Sequence, residues 1–106
     1  MLSIEYFKNL DLRIATVETV DPHPNADRLY VLGVRIGETR KTIVAGIRPF
    51  YDIEEVKGKT VVVVNNLEPA VIRGVESQGM LLAASAGDNL SLVVPERPMP
   101  DGTVVR

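Results

Sequence analysis

Residues 60–64 read Thr-Val-Val-Val-Val, a strand-forming run without any alternation of polar and apolar side chains. β-Branched residues favour the pleated conformation, and a strand that is apolar at every position has to be covered on both faces. Whatever this chain folds into, that segment must lie centrally, with other elements above and below it. The remaining sequence offers those elements as short strands separated by turn signals. Asp11–Val20 (DLRIATVETV) is extended and rich in β-branched residues. Leu29–Ile36 and Lys41–Ala45 read as a hairpin across Gly37–Arg40, with Gly37 giving the turn its conformational freedom. Met80–Ser85 and Leu90–Val94 are strands joined through Ala86–Asn89, and a proline-rich tail ends in a short strand at Thr103–Val105.

Two segments read as helical. Ile4–Leu10 places Ile4, Phe7 and Leu10 on one face behind Ser3 as N-cap. Arg48–Val56 has Pro49 in its first turn, acidic residues in its N-terminal half and Gly58 beyond its end. Between Asp21 and Asp27 the prolines Pro22 and Pro24 among Asx residues impose turns. The order strand, strand, strand, helix, strand, strand predicts an all-β chain built on a five-stranded Greek-key barrel, the OB-fold. Short helices and N- and C-terminal extensions complete a single domain over residues 1–106. A closed barrel leaves few free strand edges, but the fold alone assigns no function.

Charge limits the partners. Twelve Lys+Arg against fourteen Asp+Glu give a net charge of −2, far from the basic excess of a general duplex-DNA binder. Any nucleic-acid surface has to be a local patch; Arg28, Arg35, Arg40, Lys41, Arg48 and Arg73, at strand ends or in loops, either form it or are solvated charges balanced by acidic residues such as Glu38, Asp52, Glu54 and Glu76. There is no cysteine, no apolar stretch of membrane-spanning length and no secretory n-region, so the cytosol is the expected compartment and no membrane partner is expected.

The run IRGVESQGM (residues 72–80) sets Ser77 and Gln78 between two glycines. Ser77 is out of register with the G-x-S-x-G nucleophile elbow, and His23, the one histidine, sits between two prolines, so a hydrolase lacks a positioned base. Asp21, His23 and Asp27 make a poor metal set, and no phosphate loop is present. Ser77 is either a turn serine bonding local backbone or a polar contact offered to a ligand. Gly74 and Gly79 serve turn geometry or admit a close ligand, and turn geometry is the simpler account. Tyr30 is the aromatic placed to stack a base, whereas Phe7 and Phe50 read as core.

Five segments together resemble the tRNA-binding domain family. They are DLRI (11–14), HPNADRLY (23–30), TIVAGI (42–47), VVVVNNLEP (61–69) and IRGVESQGMLLAAS (72–85). This family includes free-standing structure-specific tRNA-binding proteins and the C-terminal domains or β-subunits of methionyl-tRNA synthetases. The resemblance implies an OB-fold that binds tRNA by shape, with no catalysis, no cofactor and no metal. It also implies a homodimer built from the terminal segments, and possible association with a methionyl-tRNA synthetase catalytic subunit. Carried over by position, the tRNA-binding residues would be Asn25, Arg28, Asn65, Arg73, Ser77, Gln78 and Met80. A protein-interaction or chaperone-like dimer of the same fold is the alternative. Relatives usually carry lysine at the position of Arg28 and basic residues around Glu68, Ala70 and Val71, so this chain is expected to bind tRNA with a weaker grip and a shallower salt dependence.

Overall fold

The computed structural model describes residues 1–106. A short helix, α1 (Ile4–Lys8), leads into a long strand, β1 (Leu12–Pro22), and then into β2 (Tyr30–Ile36) and β3 (Thr39–Ala45). A second short helix, α2 (Ile53–Val56), precedes β4 (Thr60–Val64). Next come β5 (Ala70–Ile72), β6 (Val75–Ser77) and β7 (Met80–Leu81), then β8 (Ala83–Ala86), β9 (Asn89–Leu92) and the terminal β10 (Val104–Val105). The main sheet is antiparallel in the order β3-β2-β1-β4-β7, with β10 also on β1, and it curls into the expected all-β barrel.

β4 is covered on both faces, as an unalternating valine run requires. Val61 and Val63 enter the barrel core with Ala15, Val17, Leu32, Val34 and Ile43. Val62 and Val64 point the other way and join Leu12 and Ile14 in a second cluster outside the barrel. β1 bridges the two halves of the sheet: Leu12–Thr16 pairs with β4, and Thr16–Pro22 pairs with β2. A bulge between Val17 and Thr19 shifts the inward face from Ala15 and Val17 to Val20, and such an extra residue bends the strand so that the sheet can curl. Gly33 lies opposite Thr19, where a Cβ would collide with the threonine hydroxyl.

The expected helix at Arg48–Val56 contracts to α2. Backbone bonds from Phe50 and Tyr51 to the Ile47 carbonyl form turns instead, at 2.9 and 3.2 Å. Asp52 is the extended N-cap, and its N–H donates to the Glu55 carboxylate at 2.8 Å. The strand expected at Met80–Ser85 breaks at Leu82. Leu82 donates to the Val62 carbonyl and accepts from Val93, each at 3.0 Å, and packs on the outer cluster. From there β8 and β9 leave the barrel as a separate hairpin. Phe7, expected in the core, is 40% exposed, and every residue of α1 is exposed.

The tail returns to the barrel through Asp101. Its carboxylate accepts from Arg35 Nε (3.0 Å), Thr16 Oγ1 (2.9 Å) and the Gly37 N–H (2.9 Å), and Arg35 Nη2 lies 3.0 Å from the same oxygen as Nε. Arg35 also reaches Glu18 at 3.3 Å, and Glu18 holds Arg40 at 2.8 Å. This brace sets β10 beside β1 and leaves Val93, Val94, Met99 and Val104 exposed around the outer cluster.

Candidate nucleic-acid interface

Two lips meet at one end of the barrel. The first is the turn-rich loop 23–29 between β1 and β2. The second is the β5–β6 hairpin, whose two-residue turn has positive φ at both Arg73 (53°) and Gly74 (91°). Hairpins favour this turn because its twist matches that of the strands, and Asn-Gly or Gly-Gly is its usual sequence. Arginine in the left-handed region costs about 1 kcal/mol, and Arg73 is the one non-glycine residue of the chain found there.

What holds Arg73 there is the opposite lip. Asn25 Nδ2 donates to the Arg73 carbonyl at 3.1 Å, and Arg73 Nη2 donates to the Asn25 carbonyl at 3.2 Å. Beneath them His23 is buried. Its Nδ1 lies 2.9 Å from the Asn25 N–H and its Nε2 2.9 Å from the Ile72 carbonyl. Both ring nitrogens are therefore engaged by backbone, which removes His23 from the weak metal set. Pro22 and Pro24 hold the loop in the extended and turn geometry that lets residue 23 point inward.

Ser77 and Gln78 occupy a different place from the one the resemblance suggested. Ser77 is buried; its Oγ accepts from the Val44 N–H and donates to the Gly79 carbonyl, both at 3.0 Å. The Gln78 N–H donates to the Thr42 carbonyl at 2.7 Å, while the Thr42 N–H donates to Gln78 Oε1 at 2.8 Å. Together these groups satisfy the outer edge of β3 and close the barrel where no regular ladder forms. Gly79 is needed in the same latch, since φ is 154° and a Cβ would lie 2.9 Å from the Val64 carbonyl oxygen. Both glycines of the run thus serve backbone geometry.

Met80 is 49% exposed and separates two apolar clefts. One, of about 320 Å³, is lined by Val44, Ala45, Ile47, Leu82 and Leu90 among others, and a smaller one of about 190 Å³ by Leu67, Ala70, Ile72 and Ser77. Ile72 connects the smaller cleft to the stapled lips. Arg28 is exposed and has no hydrogen-bond or ion-pair partner. The structure therefore brings Asn25, Arg28, Arg73 and Met80 to an accessible rim supported by Ser77 and Gln78. Asn65 does not join them. Its Nδ2 donates to the Asp11 carboxylate at 2.8 Å, and Lys41 Nζ donates to its carbonyl at 2.8 Å. Asn65 and Arg13 hold the Asp11 carboxyl below the ordinary carboxylate range, against a smaller opposing push from burial. Tyr30 is also unavailable for stacking, being 5% exposed with its hydroxyl donating to the Tyr51 carbonyl at 2.7 Å. The family resemblance pointed to Arg73 and Met80, but the part of His23 was missed. The available signal was a histidine two residues before an asparagine in a proline-fixed loop.

The chain is similar to known proteins along nearly its whole length. Residues 12–104 match the family described as "Putative tRNA binding domain". The chain is 47% identical over 105 residues to the methionine–tRNA ligase of Pyrococcus horikoshii, covering 99% of this chain and 14% of that enzyme. It thus spans about a seventh of the length of this relative. Among solved structures, the crystal structure of a MetRS related protein from Pyrococcus horikoshii superposes with a TM-score of 0.93 at 31% identity, covering 100% of this chain and 98% of the other. Chaperone CsaA from Bacillus anthracis gives 0.91 at 30% identity, covering 100% and 99%.

Proposed function

Because this chain belongs to the tRNA-binding domain family, we propose that it binds folded tRNA at the two-lipped rim without catalysing a reaction. The observation that carries the reading is the junction of Asn25 with Arg73, which fixes the two lips, with the uncommitted Arg28 on the first and Met80 on β7 beside the cleft that Ile72 of the second also lines. Arg28 and the free donors of Arg73 supply cations for phosphates, which position a nucleic acid without reading its sequence. Met80, flexible and polarizable, rests against an exposed ribose or base. Ser77 and Gln78 act from beneath by fixing the barrel edge that carries the rim, and Asn65 anchors the N-terminal segment. The buried nucleophile candidate has no base within its bonds, and the histidine is engaged elsewhere.

The chain works as a homodimer in this reading. Val93, Val94, Met99 and Val104 lie exposed around the outer cluster of Leu12, Ile14, Val62 and Val64, beside the exposed Ile4, Phe7 and Leu10. A second copy of this same face covers it, since a two-fold contact is self-complementary and the terminal segments supply both sides. In the cytosol the dimer raises the local concentration of tRNA beside a methionyl-tRNA synthetase catalytic subunit, a gain that needs only modest affinity. The likeness to a chaperone does not displace this reading, because the MetRS related protein is matched at least as closely. The test is a filter-binding titration with tRNA and with an unstructured RNA at two salt concentrations. Preference for tRNA at low salt is expected, and absence of tRNA binding there would refute the proposal.

A further inference from the structure

We infer that His23 is a positioning residue whose imidazole, protonated at Nε2, holds the two lips of the rim together, so that tRNA binding weakens when this cross-link is cut. The inference rests on the tRNA reading and extends it to how the rim is kept in register.

The tautomer follows from the partners. Nδ1 faces the Asn25 N–H at 2.9 Å and must accept, so the ring proton sits on Nε2 and is donated to the Ile72 carbonyl at 2.9 Å. One ring thus joins the backbone of the β1–β2 loop to the backbone of the β5–β6 hairpin, directly below the Asn25–Arg73 exchange. Histidine is 3% exposed here, and water cannot replace a lost partner easily. Loosening at this point separates Asn25 and Arg28 from Arg73, the residues that the rim must present together.

The two bonds can be separated chemically. His23→Asn keeps an oxygen that accepts the N–H two residues on, the geometry of an Asx turn, but it cannot reach the hairpin. The loop's own turn survives and only the cross-link is cut. Fluorescence anisotropy with tRNA, on wild type, His23→Asn and His23→Gln, reads the consequence, and a thermal melt of each accompanies it. His23→Asn is expected to bind about five- to tenfold more weakly, the scale of one hydrogen bond, with the fold retained. His23→Gln, whose amide N–H can donate to the Ile72 carbonyl as Nε2 does, is expected to recover much of that loss. Equal affinity of His23→Asn and wild type, or no recovery in His23→Gln, would overturn the inference while leaving the tRNA reading intact. No wild-type binding would instead remove the tRNA reading and the inference with it. Should the variants fail to fold, imidazole 15N signals of the wild type decide: the Nε2–H tautomer supports the strut, and the Nδ1–H tautomer overturns it.

Discussion

Replacing Asp101 by alanine is expected to destabilise the fold more than any other single change in the C-terminal tail. The carboxylate accepts from Arg35, Thr16 and Gly37 at 2.9–3.0 Å, and its side chain is 12% exposed. Removing it leaves the Gly37 N–H and the Thr16 hydroxyl without their partner, at about 1 kcal/mol each. Arg35 is 41% exposed and keeps Glu18, so its share is discounted to at most about 1 kcal/mol. The total is about 2–3 kcal/mol, which corresponds to a fall in melting temperature of roughly 10–20 °C for a domain of this size. Urea unfolding of wild type and Asp101→Ala, compared at constant slope, measures it. The effect also has a pH sign. Burial pushes the Asp101 carboxyl up, but Arg35, Thr16 and the Gly37 N–H outweigh it and hold it below its ordinary value. A lowered folded-state value means stability that is fully present above the ordinary carboxylate range and is lost as pH falls through the folded value. The difference between wild type and variant should therefore shrink in acid. A variant within 0.5 kcal/mol of wild type at pH 7 (about the size of an ordinary surface change) would refute the claim that this brace sets the tail.

Other expectations are as direct. Arg73→Gly relieves a left-handed arginine and should leave the melting temperature unchanged or slightly raised while weakening tRNA binding in a filter assay; wild-type affinity would show that the side chain is not at the interface. Arg28→Ala should reduce the salt slope of tRNA binding by about 0.7–0.9, the contribution of one phosphate contact. Ser77→Ala should lower stability by about 1–3 kcal/mol by leaving the Val44 N–H unpaired, yet the folded fraction should still bind tRNA at low temperature. Val104→Glu places a carboxylate on the exposed outer face and should convert the proposed dimer to monomer in sedimentation without unfolding the barrel. Asn65→Ala removes a bond that lowers the Asp11 pKa, so the acid unfolding midpoint should rise.

Much of the framework could be read from local pattern. The valines of β4 are buried on both faces, and the β2–β3 hairpin forms where Gly37 allows the chain to reverse. The departures arise where tertiary bonds decide. Leu82 interrupts a strand because Val62 and Val93 claim its backbone, and α2 is short because Ile47 captures the turns before it. The β5–β6 hairpin was hidden by Arg-Gly standing where Asn-Gly would have announced the turn. For the rim, the family resemblance pointed to Arg28, Arg73 and Met80, which the structure leaves exposed. The resemblance could not reveal that Ser77 and Gln78 face inward, because a hydroxyl that latches a strand edge and one that greets a ligand are written with the same letter.

The alternation of β4 between two cores gives selection two separate handles on one segment. A change at Val61 or Val63 is felt inside the barrel, whereas a change at Val62 or Val64 is felt in the outer cluster that underlies the exposed Val93, Val94, Met99 and Val104. Adjacent codons therefore act on two separate packing problems. If the outer face is where a second copy docks, its floor can be reshaped by a single methyl group without entering the barrel interior.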